Sequence, residues 1–276
     1  MEIIANTIYN ENCLETMARM PDNFIDLTVT SPPYDEIRNY NNHISGISDE
    51  YNGYSFPFES IAKELFRVTK KGGVVVWVVN DAMIKGSESL NSFRQALFFK
   101  EVGFNMHDTM IYRKLNPVPN AGTRYQQMFE FMFVLSKGKP KTHNIALRPR
   151  NNKCNDKRTY RKKKWTRNQD GEFTENDYFV KEMVPDFNIW DFYVGGGNSS
   201  PDKIAFKHPA IFPEELAKRH IESWSNEEEL VYDPFMGSGT TAKMAILANR
   251  NYIGSELSDE YCEIQKIRLQ DLKRPQ

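Results

Sequence analysis

Two short runs, about two hundred positions apart, hold the residue types in this chain that could do chemistry. They are Thr30-Ser31-Pro32-Pro33-Tyr34 and Asp233-Pro234-Phe235-Met236-Gly237-Ser238-Gly239-Thr240-Thr241. In the first, proline has no N–H and a fixed φ. The turn can therefore present bare carbonyl oxygens, those of Ser31 and Pro32, to the N–H groups of an amine, and Tyr34 adds a flat aromatic face. In the second, glycine lets the backbone approach a ligand closely, and the helix that follows favours a carboxylate at its N-terminus. A phosphate loop would need a lysine before the hydroxyl residue, and Gly239-Thr240-Thr241 has none, which argues against nucleotide hydrolysis. Glu256 stands about twenty residues beyond the glycines, at the end of the next strand. A carboxylate there can take both hydroxyls of a ribose.

Both runs must be held at strand ends, where open α/β sheets gather their ligands. Residues 25–30 and 230–232 are apolar enough to be buried strands, and residues 74–79 are apolar on both faces, which implies a parallel sheet covered by helices. A short strand and helix precede residue 25. Helices are expected over about 58–68, 89–102 and from 212, then after the glycine turn to about 248 and from 258 onward. Further strands are expected at 107–112, 129–135 and 252–255. Residues 35–53 show no clear period and read as a long loop beside the site. The fold class expected is α/β, a doubly wound, mostly parallel sheet assembled from both ends of the chain.

The two motifs, in this order, resemble the amino-methylating DNA methyltransferases that use S-adenosylmethionine, in the arrangement where the catalytic motif precedes the cofactor motif. Outside residues 139–207 the resemblance spans nearly the whole chain. It implies a Rossmann-like methyltransferase domain that transfers a methyl group to the exocyclic amine of a base flipped from duplex DNA. Ser31, Pro32, Pro33 and Tyr34 would be the catalytic residues, with Tyr34 stacked on the base. Within the family, Asp or Asn at the first position goes with adenine N6 and Ser with cytosine N4, so Ser31 points to cytosine N4. The cofactor would be held by Thr30, Asp233, Pro234, Phe235, Gly237, Ser238, Gly239, Thr240, Thr241, Glu256 and Leu257. His208, Phe212 and Pro213 would close over its methionine end, and Asn12 and Cys13 would meet its adenine. Asn12 departs from the aspartate that the family carries before the cysteine. Carbon-5 methylation of cytosine requires a Pro-Cys nucleophile that this chain lacks.

The chain has 276 residues and a formal charge of -1, so its total charge predicts no polyanionic partner. Its distribution does. Between Arg148 and Arg167 ten Lys or Arg face one acid, Asp156. Arg148, Arg150, Lys157, Arg158, Arg161, Lys162, Lys163, Lys164, Trp165 and Arg167 are the residues expected to bind DNA, through phosphate contacts and stacking. The domain expectation is thus a catalytic and cofactor domain over 1–138 and 208–276, with a target-recognition insertion over 139–207 in which Trp190 and Phe192 are packing anchors. Three widely spaced cysteines argue against disulfides and zinc and for a reducing, intracellular setting. No leader or apolar span is evident. The implied partners are double-stranded DNA and a cognate endonuclease of a prokaryotic or phage modification system, with a monomer or homodimer. Competing readings are adenine-N6 methylation, methylation of RNA or of a protein glutamine amide, and a catalytically silent DNA-binding protein.

Overall fold

The computed structural model describes residues 2–33, 50–51, 54–117, 124–149, 161–168, 170–179, 183–208, 211–272 and 274, with backbone alone at 50–51, 54–55, 161–166 and 175–179. Eight strands form one sheet. They are β1 (Thr7–Tyr9), β2 (Ile25–Thr30), β3 (Thr69–Val79), β4 (Asn105–Lys114), β5 (Phe129–Ser136), β6 (Ile189–Phe192), β7 (Leu230–Asp233) and β8 (Asn251–Ser255). Their order across the sheet is β1-β8-β7-β2-β3-β5-β4-β6. Only β5 runs against its neighbours β3 and β4, and the other pairings are parallel. Among the described residues six α-helices accompany it: α1 (Cys13–Ala18), α2 (Phe58–Val68), α3 (Asn91–Val102), α4 (Glu214–Trp224), α5 (Thr240–Leu247) and α6 (Asp259–Leu269).

The apolar run of β3 shows why helices must cover both faces. Successive side chains of a strand point to opposite sides. Val74, Val76 and Val78 pack with Leu216 and Ile221 of α4 and Ala242 and Ala245 of α5. Val75, Trp77 and Val79 pack with Ile61 and Leu65 of α2 and Phe99 of α3. The first half of the chain thus covers one face and the second half the other. The halves meet where β2 pairs with β7, with Thr28 opposite Tyr232. Both chemistry-bearing runs leave the sheet there, as an open α/β sheet requires of a ligand crevice.

The chain divides into a large unit, 1–144 with 188–276, and a small one, 145–187. The break therefore falls inside the expected 139–207 segment. Lys141 leaves the small unit because its Nζ pairs with buried Asp26 at 2.5 Å and with Glu229 at 2.8 Å. Trp190 and Phe192 leave it because they are buried in β6, an edge strand parallel to β4. Trp190 packs on His220 with ring centroids 4.5 Å apart. His220 is fully buried, and burial pushes its pKa down to about 3, so it is a neutral core residue. The small unit has its own antiparallel pairs, Leu147–Pro149 with Met183–Pro185 and Arg161–Arg167 with Phe173–Phe179. Of the expected loop at 35–53, the described part is a two-residue ribbon, Glu50–Tyr51 with Tyr54–Ser55, and residues 34–49 lie outside the described ones.

Candidate functional site

The two motifs are tied together beneath the surface. Asp233 is buried at the end of β7. Its Oδ1 accepts from the Thr30 hydroxyl at 2.6 Å and from the Phe235 N–H at 3.0 Å, and its Oδ2 accepts from the Thr241 hydroxyl at 2.7 Å. Burial pushes the Asp233 pKa up to about 6, against the pull of those hydrogen bonds. One carboxylate thereby fixes the end of β2, the start of the glycine turn and the first turn of α5.

Above this brace the chain turns through Met236 and Gly237. Gly237 has φ +52°, and a Cβ there would lie 3.0 Å from His208 Nε2. Gly254 on β8 is tighter still, since a Cβ would collide with the Met236 side chain. The Gly237 N–H donates to Glu256 Oε2 at 2.7 Å, and the Ser258 N–H to Oε1 at 2.9 Å. Glu256 is thus oriented by two backbone donors. Burial pushes its pKa up to about 7, with Asp233 adding repulsion.

A cleft opens over this loop. Of the residues expected from the sequence, it is lined by Cys13, Ser31, Pro33, His208, Phe212, Pro234, Phe235, Gly237, Ser238, Thr240, Glu256 and Leu257. The carbonyl-bearing turn and the glycine loop therefore share one wall. The other expected residues that the structure describes do not line the cleft. Asn12 caps α1, its Oδ1 accepting from the Leu14 N–H at 2.9 Å, while its neighbours Glu11 and Cys13 face the cleft. Thr30, Asp233 and Thr241 form the brace, Pro32 is buried, Pro213 caps α4, and Gly239 at φ +86° caps α5. Tyr34 lies outside the described residues.

Glu11, Ile211, Met236, Ser255 and Tyr261 also line the cleft and were not singled out in the sequence. Ile211, Met236 and Ser255 adjoin motif residues, so proximity along the chain could have found them. Glu11 and Tyr261 carry no such signal. Glu11 reaches the cleft because the Thr16 hydroxyl at 2.7 Å and the Arg19 guanidinium hold its carboxylate. Tyr261 reaches it from α6, where its ring lies 4.4 Å from that of His208. Among the described residues no group of three His, Cys, Asp or Glu is placed to hold a metal ion. None of their helices is long and apolar enough to cross a membrane.

Among the expected DNA contacts, the backbone of Arg161, Lys162, Lys163, Lys164, Trp165 and Arg167 forms one strand of the hairpin. Arg167 is exposed, its Nε donating to the Gly171 carbonyl at 3.0 Å across the turn. The Arg148 guanidinium lies over the Phe187 ring at 3.7 Å. Arg150, Lys157 and Arg158 lie outside the described residues.

The sequence matches the family model described as "DNA methylase" over residues 25–266. It is 56% identical over 249 residues to the orphan methyltransferase M.BamHII of Bacillus amyloliquefaciens, covering 90% of this chain and 89% of that one. It is 28% identical to the type II methyltransferase M.HinfI of Haemophilus influenzae, covering 97% of this chain and 69% of that one. Among solved structures, the cytosine-N4-specific PvuII DNA methyltransferase superposes with a TM-score of 0.68 at 21% identity, covering 98% of this chain and 88% of that one. The complex of M1.HpyAVI with S-adenosylmethionine gives 0.58 at 21% identity, covering 95% and 99%. These structural likenesses establish the fold. With the family model spanning both motifs and the sheet between them, the chain belongs to the N4/N6 amino-methylating, S-adenosylmethionine-dependent DNA methyltransferases.

Proposed function

We propose that this protein transfers a methyl group from S-adenosylmethionine to N4 of cytosine in duplex DNA. The observation that carries this reading is Ser31, which stands on the cleft wall at the head of the Ser-Pro-Pro turn, where adenine-N6 enzymes of the family carry Asp or Asn. The PvuII enzyme, whose fold this chain shares, is cytosine-N4-specific.

The cleft suits the cofactor. Gly237 leaves a space beside His208 that a Cβ would fill, and Phe212 and Phe235 add apolar wall. Glu256, already aligned by the Gly237 and Ser258 N–H groups, would receive the ribose hydroxyls. When bound, S-adenosylmethionine would supply an electrophilic methyl carbon, its S–CH3 bond breaking to leave S-adenosylhomocysteine while the methylated amine gives up one proton to solvent. The exocyclic amine is a poor nucleophile because its lone pair is delocalised into the ring. The carbonyl oxygens of Ser31 and Pro32 would accept its two N–H bonds and turn the lone pair toward the methyl, while Tyr34 stacks on the flipped base. The rate then comes mainly from holding reacting atoms about 3 to 3.5 Å apart. The basic hairpin over 161–179 would bind DNA phosphates.

The test is incubation with unmethylated DNA and S-adenosylmethionine, followed by nucleoside mass spectrometry. N4-methylcytosine is expected. N6-methyladenine would overturn the base assignment and leave the family mechanism standing.

A further inference from the structure

The glycine loop is held from behind by α6. Gln265 Nε2 donates to the Gly237 carbonyl at 2.6 Å. Arg268 NH1 donates to the Ser238 carbonyl at 2.6 Å, to the Ser238 hydroxyl at 3.0 Å and to the Thr240 hydroxyl at 3.3 Å. Neither residue lines the cleft. Gln265 instead lines a second groove, with Ile8, Tyr252 and Cys262. A trans peptide carries its carbonyl and its N–H on opposite sides, and the described residues contain no cis bond. Drawing the Gly237 carbonyl toward Gln265 therefore aims the Ser238 N–H away from Gln265, and Ser238 lines the cleft. The next peptide is fixed too, because the Gly239 N–H donates to the Met236 carbonyl at 2.9 Å.

Arg268 also pairs with two acids that lie outside the glycine loop. Its side chain is 0% exposed, and its charge is met by Asp202 at 3.1 Å and Glu214 at 2.7 Å. Lys243 pairs with the same two acids, at 2.7 and 2.9 Å, and the Ser200 hydroxyl donates to Glu214 at 2.5 Å. Two cations and two anions balance. A guanidinium so buried is sustained by such partners. Asp202 and Glu214 flank the stretch that carries His208 and Phe212, so one side chain sets the glycine loop against that stretch.

We propose that Gln265 and Arg268 are positioning residues for the amino-acid end of the cofactor, acting through the Ser238 N–H, which they aim at its carboxylate. This rests on S-adenosylmethionine occupying the cleft. The two residues touch no ligand themselves.

The experiment compares two probes by calorimetry on the full chain. S-Adenosylhomocysteine carries the carboxylate, and 5′-methylthioadenosine lacks the whole amino-acid end. Gln265→Met should weaken S-adenosylhomocysteine about tenfold, as expected for losing one hydrogen bond to a charged group. It should leave methylthioadenosine within about twofold. Arg268→Met should do the same more strongly, and Arg268→Lys should recover part of the loss. If Arg268→Met does not fold, Gln265→Met decides alone. Equal weakening of both probes, or no weakening of either, would overturn the proposal. Failure of the unmutated protein to bind S-adenosylhomocysteine would instead overturn the reading of the cleft on which it rests.

Discussion

The large unit and the 145–187 unit differ most in what they bury. In the large unit the sheet separates two apolar cores, and even charged groups such as Asp233 and Arg268 are buried with partners. In the small unit none of the described side chains is buried, and Leu147, Phe173, Met183 and Phe187 are all exposed. Its order rests on strand pairing, which is marginal for a hairpin standing alone. One region is therefore a frame that tolerates little change, and the described side chains of the other lie at or near its surface. Substitutions should separate the two.

The largest effect is expected in the frame. Gly237→Val places a branched side chain at φ +52° against His208, whose ring must give by a few tenths of an ångström to admit even its Cβ. Cofactor affinity should fall about a hundredfold or more, given strain of order 1 to 3 kcal/mol at such a backbone on top of the lost space. Calorimetry with S-adenosylhomocysteine measures it, while DNA affinity should hold. The counterpart in the small unit is the simultaneous change of Lys162, Lys163 and Lys164 to Ala. The slope of log affinity for DNA against log salt should become shallower by about 2 to 3, since each phosphate contact contributes about 0.9. Thermal stability and cofactor affinity should not move. An unchanged slope would erase the functional half of the contrast and leave the cations as a solvated face.

The smallest effect is a pH dependence within the frame. Free Glu256 is half protonated near pH 7, because burial disfavours its charge. Its ionised form is the better acceptor for ribose hydroxyls. Cofactor affinity should therefore rise with pH through 7, by about tenfold between pH 6 and pH 8 if a single group titrates. Glu256→Gln should flatten that profile. A persisting slope would assign it to Asp233, whose pKa of about 6 lies in the same range.

Much of the frame was legible because it is local. The period of residues 58–68 marks α2 at both ends, and the apolar run at 74–79 lies inside β3. The proline and the acids at 213–215 mark the start of α4. Ser31, Pro33, Gly237, Ser238 and Glu256, which the motifs singled out, line one cleft. What was not legible depends on partners distant in the chain. β6 is four residues long and pairs with a strand 78 positions earlier, so nothing local distinguished it from the insertion around it. Asn12 has the right type for a ligand contact, yet its oxygen is used in capping α1.

The sequence by itself determined the class of fold, the family and the two motifs, because hydrophobic period, proline and glycine act within a few residues. Only the tertiary structure decided which charges leave water. Nothing local in the sequence marks Asp202, Glu214, Lys243 and Arg268 as a group. They become the brace of the glycine loop because α4, α5 and α6 converge there, bringing together groups up to 66 positions apart. The buried Arg268 guanidinium is sustained because the partly buried Asp202 and Glu214 meet its charge, and that is a property of the packed molecule.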